Sequence, residues 1–199
     1  MLFRVFSDTM ETKIPGHAVN IVENQNALQE IARKVHLLIL DVDGVLTDGS
    51  IILDGGDNEM KAFHVRDGHG IKMLVKAGVK VAIITGRYSK VVERRARELG
   101  ITEVFQRCHI KSVAFDHLIE KFGVTEEEVA YVGDDIVDIP ILRRVGLPIA
   151  VNDAVNEAKE HARMITDKPG GKGAVREVSD FLLKAKGLWT SLMGDYLEA

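Results

Sequence analysis

Short apolar runs alternate with helical patterns along the chain from residue 35 onward. The apolar runs are rich in Val, Ile and Leu, which is typical of parallel strands covered on both faces. The segments between them repeat apolar residues every three or four positions and several end at glycine, as amphipathic helices do. This alternation predicts a doubly wound α/β fold with a parallel sheet. The predicted strands cover residues 35–40, 79–85, 103–106, 129–133, 147–151 and 164–166.

One segment breaks the alternation. Residues 50–65, "SIILDGGDNEMKAFHV", combine two short apolar stretches with a Gly- and Asp-rich turn, and this pattern predicts a β-hairpin. We expect the hairpin to form a small flap beside the acidic segment that precedes it. The other segments between the predicted strands are only long enough for single helices. We therefore expect an N-terminal extension (1–34), one Rossmann-like domain (35–186) and a C-terminal tail (187–199).

Polar residues follow the predicted strands where each strand ends. Asp41 and Asp43 follow the first, Thr85 the second and Asp134 the fourth, while Lys111 begins the helix after the third. Ligands of open α/β sheets bind at the carboxyl ends of the strands, so these side chains are expected to share one crevice. Crowded carboxylates repel each other unless a cation compensates. Oxygen ligands without a His or Cys cluster favour Mg²⁺.

Other phosphate and hydrolase devices are missing from the sequence. It contains neither the P-loop pattern G-x-x-x-x-G-K-[ST] nor the nucleophile elbow G-x-S-x-G. An EF-hand that began at Asp41 would place Ile52 where a glutamate is required. The pattern that remains is a carboxylate nucleophile beside a metal ion, with a second acid to move protons.

The composition of the chain indicates which partners and which cellular compartment to expect. The net charge is only −4, which does not favour a nucleic acid or an anionic membrane as a partner. The single cysteine, Cys108, excludes an internal disulfide framework and is typical of a reducing cytoplasm. No apolar run approaches the length of a membrane span, and the first residues lack the apolar core of a secretory signal. We therefore expect a cytoplasmic protein.

Four motifs, in order, resemble those of the haloacid dehalogenase-like phosphohydrolases: "DVDGVLTDG", "ITGR", Lys111 and "GDDIVD". The resemblance implies that Asp41 is the nucleophile and Asp43 the general acid and base. It also implies that Thr85 and Lys111 bind the transferring phosphoryl group. Asp134 would complete a Mg²⁺ site with Asp41 and the backbone carbonyl of Asp43.

Within that family, the chain is similar to a capless branch of phosphatases for phosphorylated eight-carbon sugar acids of lipopolysaccharide biosynthesis. These proteins are homotetramers in which neighbouring subunits complete the active site. The resemblance places the sugar phosphate against a set of residues that also includes Lys111: His64, Val65, Arg66, Asp67, Gly68, Lys72, Gly86, Arg87, Arg95 and Lys172. Arginine offers a bidentate fork for phosphate and carboxylate alike, which suits such a substrate.

Several alternatives stay open at this stage. Asp48 is interpreted as a turn acid before the hairpin, and Asp135 and Asp138 either support the metal ligands or favour a helix N-terminus. The substrate could instead be a sialic-acid-type 9-phosphate. The chain could also be a non-catalytic binding or assembly subunit that keeps the fold, although the intact acidic motifs disfavour this.

Overall fold

The computed structural model describes residues 21–56 and 59–198. The strands are β1 (Leu37–Leu40), β2 (Ile52–Leu53), β3 (Glu59–Met60), β4 (Lys80–Ile84), β5 (Glu103–Phe105), β6 (Val129–Gly133), β7 (Leu147–Ala150) and β8 (Met164–Ile165). The α-helices are α1 (Ile21–Lys34), α2 (Val65–Lys76), α3 (Lys90–Leu99), α4 (Lys111–Phe122), α5 (Ile139–Leu142), α6 (Asn156–Lys159), α7 (Ala174–Ala185) and α8 (Trp189–Leu197). The predicted doubly wound α/β fold is confirmed, with strand ends within two residues of those expected.

The six strands of the main sheet run in the order β5-β4-β1-β6-β7-β8, and every pairing is parallel. The chain leaves β1 toward β4 and β5, then crosses back to β6 on the other side of β1. Neighbouring strands whose connections lead in opposite directions leave a crevice at their carboxyl ends. The crevice of this sheet therefore lies beyond β1 and β6.

The strands β2 and β3 form the predicted antiparallel hairpin, with Ile52 opposite Met60. The turn residues 57 and 58 lie outside the described part of the chain. The apolar side chains of this hairpin are largely exposed, so the central core does not hold it in place. Within the described residues, the hairpin is the one insertion that departs from the α/β alternation.

The core lies on both faces of the sheet, where β1 is buried along its whole length. Helix α7 packs against α2 and α1, and its carboxyl end carries α8. In α8, Leu192 is buried and Trp189 packs against the core. The predicted tail thus begins with an ordered helix. None of the described helices is long and apolar enough to cross a lipid bilayer.

Candidate active site

A cleft of about 250 Å³ opens where β1, β4 and β6 end. The loops after these strands supply most of its walls because parallel strands end at the same edge of a sheet. The predicted catalytic and metal-binding residues all line it. The wall consists of Asp41, Asp43, Thr85, Gly86, Arg87, Cys108, His109, Lys111, Asp134, Asp135 and Val137.

The Lys111 ammonium lies between two buried carboxylates at the base of this cleft. Its Nζ atom is 2.6 Å from Asp41 Oδ2 and 2.6 Å from Asp138 Oδ1. Burial alone would lower the pKa of Lys111, but the two carboxylates outweigh it and raise the pKa. Lys111 is therefore charged and available to hold an anion.

Asp138 organises the loop that follows β6. Its Oδ1 atom accepts hydrogen bonds from Lys111 and from the Tyr131 hydroxyl, the latter at 2.5 Å. Its Oδ2 atom accepts from the backbone N–H groups of Asp134 (2.9 Å) and Asp135 (3.2 Å). Both Asp138 oxygens are thus occupied by protein donors. Asp138 therefore holds the loop that carries Asp134, and its bond from Asp135 N–H also caps the short 3-10 helix that follows, so both roles that the sequence left open stay open.

Asp134 has the properties expected of a cation ligand. Its Oδ1 atom is buried and has no hydrogen-bond partner among the described residues. Oxygen atoms of Asp41, Asp134 and Asp138 lie within 4.8 Å of one another. Because the oxygens of Asp138 are occupied, Asp41 and Asp134 are the two carboxylates best placed to hold an ion. An oxygen-only donor set of this kind fits Mg²⁺.

The electrostatics of the carboxylates support the same conclusion. Burial raises the pKa of Asp134 to about 8, and the neighbouring carboxylates of Asp41 and Asp138 add to the shift. Burial also raises the pKa of Asp41 to about 6, although the Lys111 ammonium opposes this shift. A cation bound between Asp41 and Asp134 would offset both effects because it favours their charged forms.

Gly44 is required by the close approach of Asp134. The glycine has φ +86°, and a Cβ atom there would stand 2.0 Å from Asp134 Oδ2. The loop after β1 therefore leaves room for the carboxylate that follows β6. The first glycine of "DVDGVLTDG" is thus explained by its positive φ and by its contact with the Asp134 carboxylate.

Two residues of this site were missed by the sequence reasoning. Lys61, just after β3, contacts the Asp43 carboxylate, and Glu59 pairs with both Lys61 and Arg87. Neither residue follows a strand of the main sheet, so the strand-end rule cannot find them. The only signal in the sequence is a lysine within the predicted hairpin.

Part of the predicted substrate site lies outside the cleft of this single chain. His64, Asp67, Gly68 and Arg95 line a separate small cavity beneath the start of α2. The Asp67 carboxylate is buried there and accepts hydrogen bonds from the N–H groups of Gly173 and Arg176 at the start of α7. Val65, Arg66 and Lys72 are exposed on α2. The assignment of this group to substrate binding stays a prediction.

The glycine-rich segment before α7 packs against the loop after β1. The N–H of Gly171 donates to Val45 O, and Lys172 Nζ lies 3.7 Å from Asp48 Oδ2. The other oxygen of Asp48 accepts from Ser50 N at 3.1 Å, as expected of a turn acid. In the single chain, Lys172 thus lies beside Asp48 and is not among the residues that line the cleft.

Comparison with known proteins agrees with the geometry. The family model of the haloacid dehalogenase-like hydrolases matches residues 64–146. A similar curated relative is the 3-deoxy-D-manno-octulosonate 8-phosphate phosphatase of Escherichia coli strain K12. It is 50% identical over 156 residues, which are 78% of this chain and 83% of the relative.

Solved structures of such phosphatases share the fold. The Yersinia pestis enzyme is 44% identical with a TM-score of 0.81, over 82% of this chain and 88% of that chain. The Moraxella catarrhalis enzyme, crystallised with magnesium, phosphate and KDO, is 39% identical with a TM-score of 0.84. That comparison covers 86% of this chain and 98% of the other.

Proposed function

Because the chain belongs to the haloacid dehalogenase-like hydrolases, we propose that it hydrolyses 3-deoxy-D-manno-octulosonate 8-phosphate to the free sugar acid and inorganic phosphate. The observation that carries the chemistry is the cleft in which Asp41, Lys111 and Asp134 meet. The substrate is supported by 50% identity to a phosphatase of that name over most of both chains. This reaction belongs to lipopolysaccharide biosynthesis, and we place it in the cytoplasm.

The reaction needs two residues that exchange bonds and protons with the substrate. Asp41 attacks the phosphorus and forms an aspartyl phosphate, while the bond to the sugar oxygen breaks. Asp43 gives a proton to that departing oxygen, then takes one from the water that attacks the aspartyl phosphate. Inorganic phosphate leaves and the Asp41 carboxylate is restored.

Two further residues hold the transferring group. The charged Lys111 attracts the phosphoryl oxygens, and the buried Thr85 at the end of β4 supplies a hydroxyl group. Asp41, Asp134 and the backbone carbonyl of Asp43 would hold Mg²⁺, which would supply positive charge to offset the negative charge of the phosphoryl oxygens.

Neighbouring subunits complete the site in our proposal. Residues 35–186 form the catalytic unit, and the exposed apolar side chains of the hairpin support association into a homotetramer. The substrate residues that lie outside the cleft of one chain, such as Lys72 and Lys172, would then contact the sugar acid across a subunit boundary.

Steady-state kinetics test the proposed function. We expect turnover of 3-deoxy-D-manno-octulosonate 8-phosphate with Mg²⁺ and its loss when EDTA is in excess. Asp41→Asn is expected to lower kcat at least about a thousandfold. Asp116→Asn, an exposed acid that pairs with Arg144, serves as the matched control with unchanged kinetics.

A substrate panel decides the specificity. A sialic-acid-type 9-phosphate and common sugar phosphates should show much lower kcat/KM than the octulosonate. Equal kcat/KM across the panel would refute the substrate and leave the phosphatase chemistry. Parental activity of Asp41→Asn would refute the covalent mechanism.

A further inference from the structure

Lys61 is a buried lysine outside the strand-end motifs. Its side chain is only 1% exposed, although it follows a hairpin whose apolar residues face solvent. Burying an ammonium group is costly unless opposite charges compensate. One compensating partner is the Asp43 carboxylate, whose Oδ1 atom contacts Lys61 Nζ.

Four charged side chains around Lys61 form a closed ring of alternating sign. Lys61 Nζ lies 3.1 Å from Glu59 Oε1, and the same Glu59 oxygen accepts from Arg87 Nη2 at 2.9 Å. Arg87 Nε in turn lies 3.6 Å from Asp43 Oδ2. Asp43 therefore has a cation on each of its two oxygens, and Glu59 holds both cations in place.

The ring joins three parts of the chain beside the cleft. Asp43 lies in the loop after β1, Arg87 lies in the loop after β4, and Glu59 and Lys61 belong to the hairpin. The pKa of Glu59 reflects its contacts with the two cations of the ring. Burial alone would raise the pKa of Glu59, but hydrogen bonds from Lys61 and Arg87 outweigh it and keep the pKa below its ordinary value.

Lys61 differs from Arg87 in what it can do for Asp43. Arg87 is 45% exposed, whereas Lys61 is held inside the ring, where its ammonium contacts one oxygen of Asp43 and one of Glu59. A fixed partner on Oδ1 restricts rotation of the carboxylate about its last bond. Groups that transfer protons need such fixed geometry because small misplacements are costly.

We infer that Lys61 is a positioning residue for the acid-base step: its contact orients the Asp43 carboxylate toward the oxygen of the departing sugar. This inference rests on the proposed function, in which Asp43 protonates that oxygen. Lys61 itself exchanges no proton with the substrate.

Leaving-group dependence separates this role from others. A sugar alkoxide is a poor leaving group and needs a proton from Asp43, whereas p-nitrophenolate leaves without one. The ratio kcat/KM reports the steps up to departure of the leaving group. A residue that positions Asp43 therefore affects kcat/KM for the sugar phosphate much more than kcat/KM for p-nitrophenyl phosphate.

The experiment compares Lys61→Met with the parent on both substrates. We expect kcat/KM for the sugar phosphate to fall by about a hundredfold and that for p-nitrophenyl phosphate by less than about fivefold, as loss of acid catalysis predicts. Inhibition by inorganic phosphate should be unchanged, and Lys61→Arg should recover part of the loss. The control is Lys80→Met, at an exposed position where β4 begins, which should leave kcat/KM for both substrates unchanged.

Equal losses on the two substrates, or no loss on either, would overturn the inference. If Lys61→Met does not fold, Glu59→Gln is measured in its place, because it weakens the ring without changing Asp43. It should lower kcat/KM for the sugar phosphate more than kcat/KM for p-nitrophenyl phosphate. Failure of the proposed function is recognised separately. In that case the parent itself does not hydrolyse the octulosonate phosphate. The effect of Lys61→Met on kcat/KM is then compared between p-nitrophenyl phosphate and an alkyl phosphate that the parent does hydrolyse.

Discussion

Tyr131 is the residue that links the apolar core to the charged cleft. It is fully buried in β6, and its hydroxyl donates to Asp138 Oδ1 at 2.5 Å. Burial raises the pKa of Tyr131 well above its ordinary value, so the hydroxyl keeps its proton and remains a donor. Lys111 also donates to this hydroxyl, at 3.4 Å.

Tyr131→Phe removes that hydroxyl without changing the shape of the core. Hydrogen bonds to charged groups contribute more than neutral ones, and we expect a loss of about 2 kcal/mol in the free energy of unfolding. Urea denaturation measures it. Tyr88→Phe is the matched control, because Tyr88 is 42% exposed and its ring keeps its contact with Arg107. Equal stability of the Tyr131 and Tyr88 variants would contradict this role.

The raised pKa of Asp134 predicts a dependence of stability on pH. Without metal, the folded protein holds the Asp134 proton up to a pH of about 8, whereas the unfolded chain loses it near 3.8. The folded state thus binds more protons in this window, and the free energy of unfolding must fall as the pH rises through it.

The free energy of unfolding of the parent and of Asp134→Asn, measured in excess EDTA between pH 5 and 8, gives the contribution of Asp134. The parent should lose stability relative to the variant as the pH rises. Excess Mg²⁺ should remove the trend, because it binds the charged carboxylate and stabilises the folded state. A metal-free parent whose stability relative to Asp134→Asn rises with pH would refute the assigned shift.

The sequence predicted some of these residues and not others for a physical reason. Asp41, Lys111 and Asp134 could be placed together because the ends of parallel strands share one edge of the sheet. Tyr131 lies within an apolar strand and cannot be told from a core residue until its hydroxyl partner is known. Lys61 depends on how the hairpin folds back over Asp43, and no periodicity specifies that.

At the scale of elements, the glycine-rich segment before α7 fixes the loop that carries Asp41 and Asp43. A Cβ atom at Gly170 would stand 1.6 Å from the carbonyl oxygen of Gly44. The two backbones are thus in direct contact, with Gly170 N donating to Asp153 Oδ1 at 2.8 Å on the other side. The sequence does not predict this contact, because close approach of two loops leaves no pattern in either.

Gly170→Ala should push these two loops apart. We expect a loss of at least about 2 kcal/mol in stability, as overpacking in a tight contact costs, together with a large loss of kcat from the displaced acidic loop. Thermal unfolding and steady-state kinetics measure the two effects. The control is Gly194→Ala in α8, where a Cβ atom meets nothing within 4 Å and alanine favours the helix. Wild-type stability and kcat in Gly170→Ala would mean that the contact is dispensable.

At the scale of the whole molecule, the order of the strands decides where the chemistry occurs. The chain reverses direction across the sheet between β1 and β6, and Asp41 follows one of these strands while Asp134 follows the other. This arrangement was predictable, because alternating βα units and the strand-end rule together leave few topologies. The surface around the cleft was not predictable to the same degree, because it depends on the hairpin and on what covers it.

The hairpin carries several large apolar side chains that are exposed in the single chain. Large side chains there are between 40% and 66% exposed, and Val65 at the start of α2 is 79% exposed. The exposed hairpin residues are Ile51, Ile52, Leu53 and Met60. Exposed apolar patches on a protein surface mark association sites, and in the proposed homotetramer other subunits cover these side chains.

Leu53→Asp tests this association because a charge at a buried interface is costly. Light scattering after size exclusion should give the parent about four times the chain mass of 22.0 kDa, and the variant a smaller mass. We expect kcat/KM for the sugar phosphate to fall with dissociation, since residues such as Lys72 would no longer reach a neighbouring cleft. Val113→Asp, equally exposed on α4, should keep the parental mass and activity. A parent that is monomeric and fully active would show instead that one chain completes its own site, with Lys72 and Lys172 outside it.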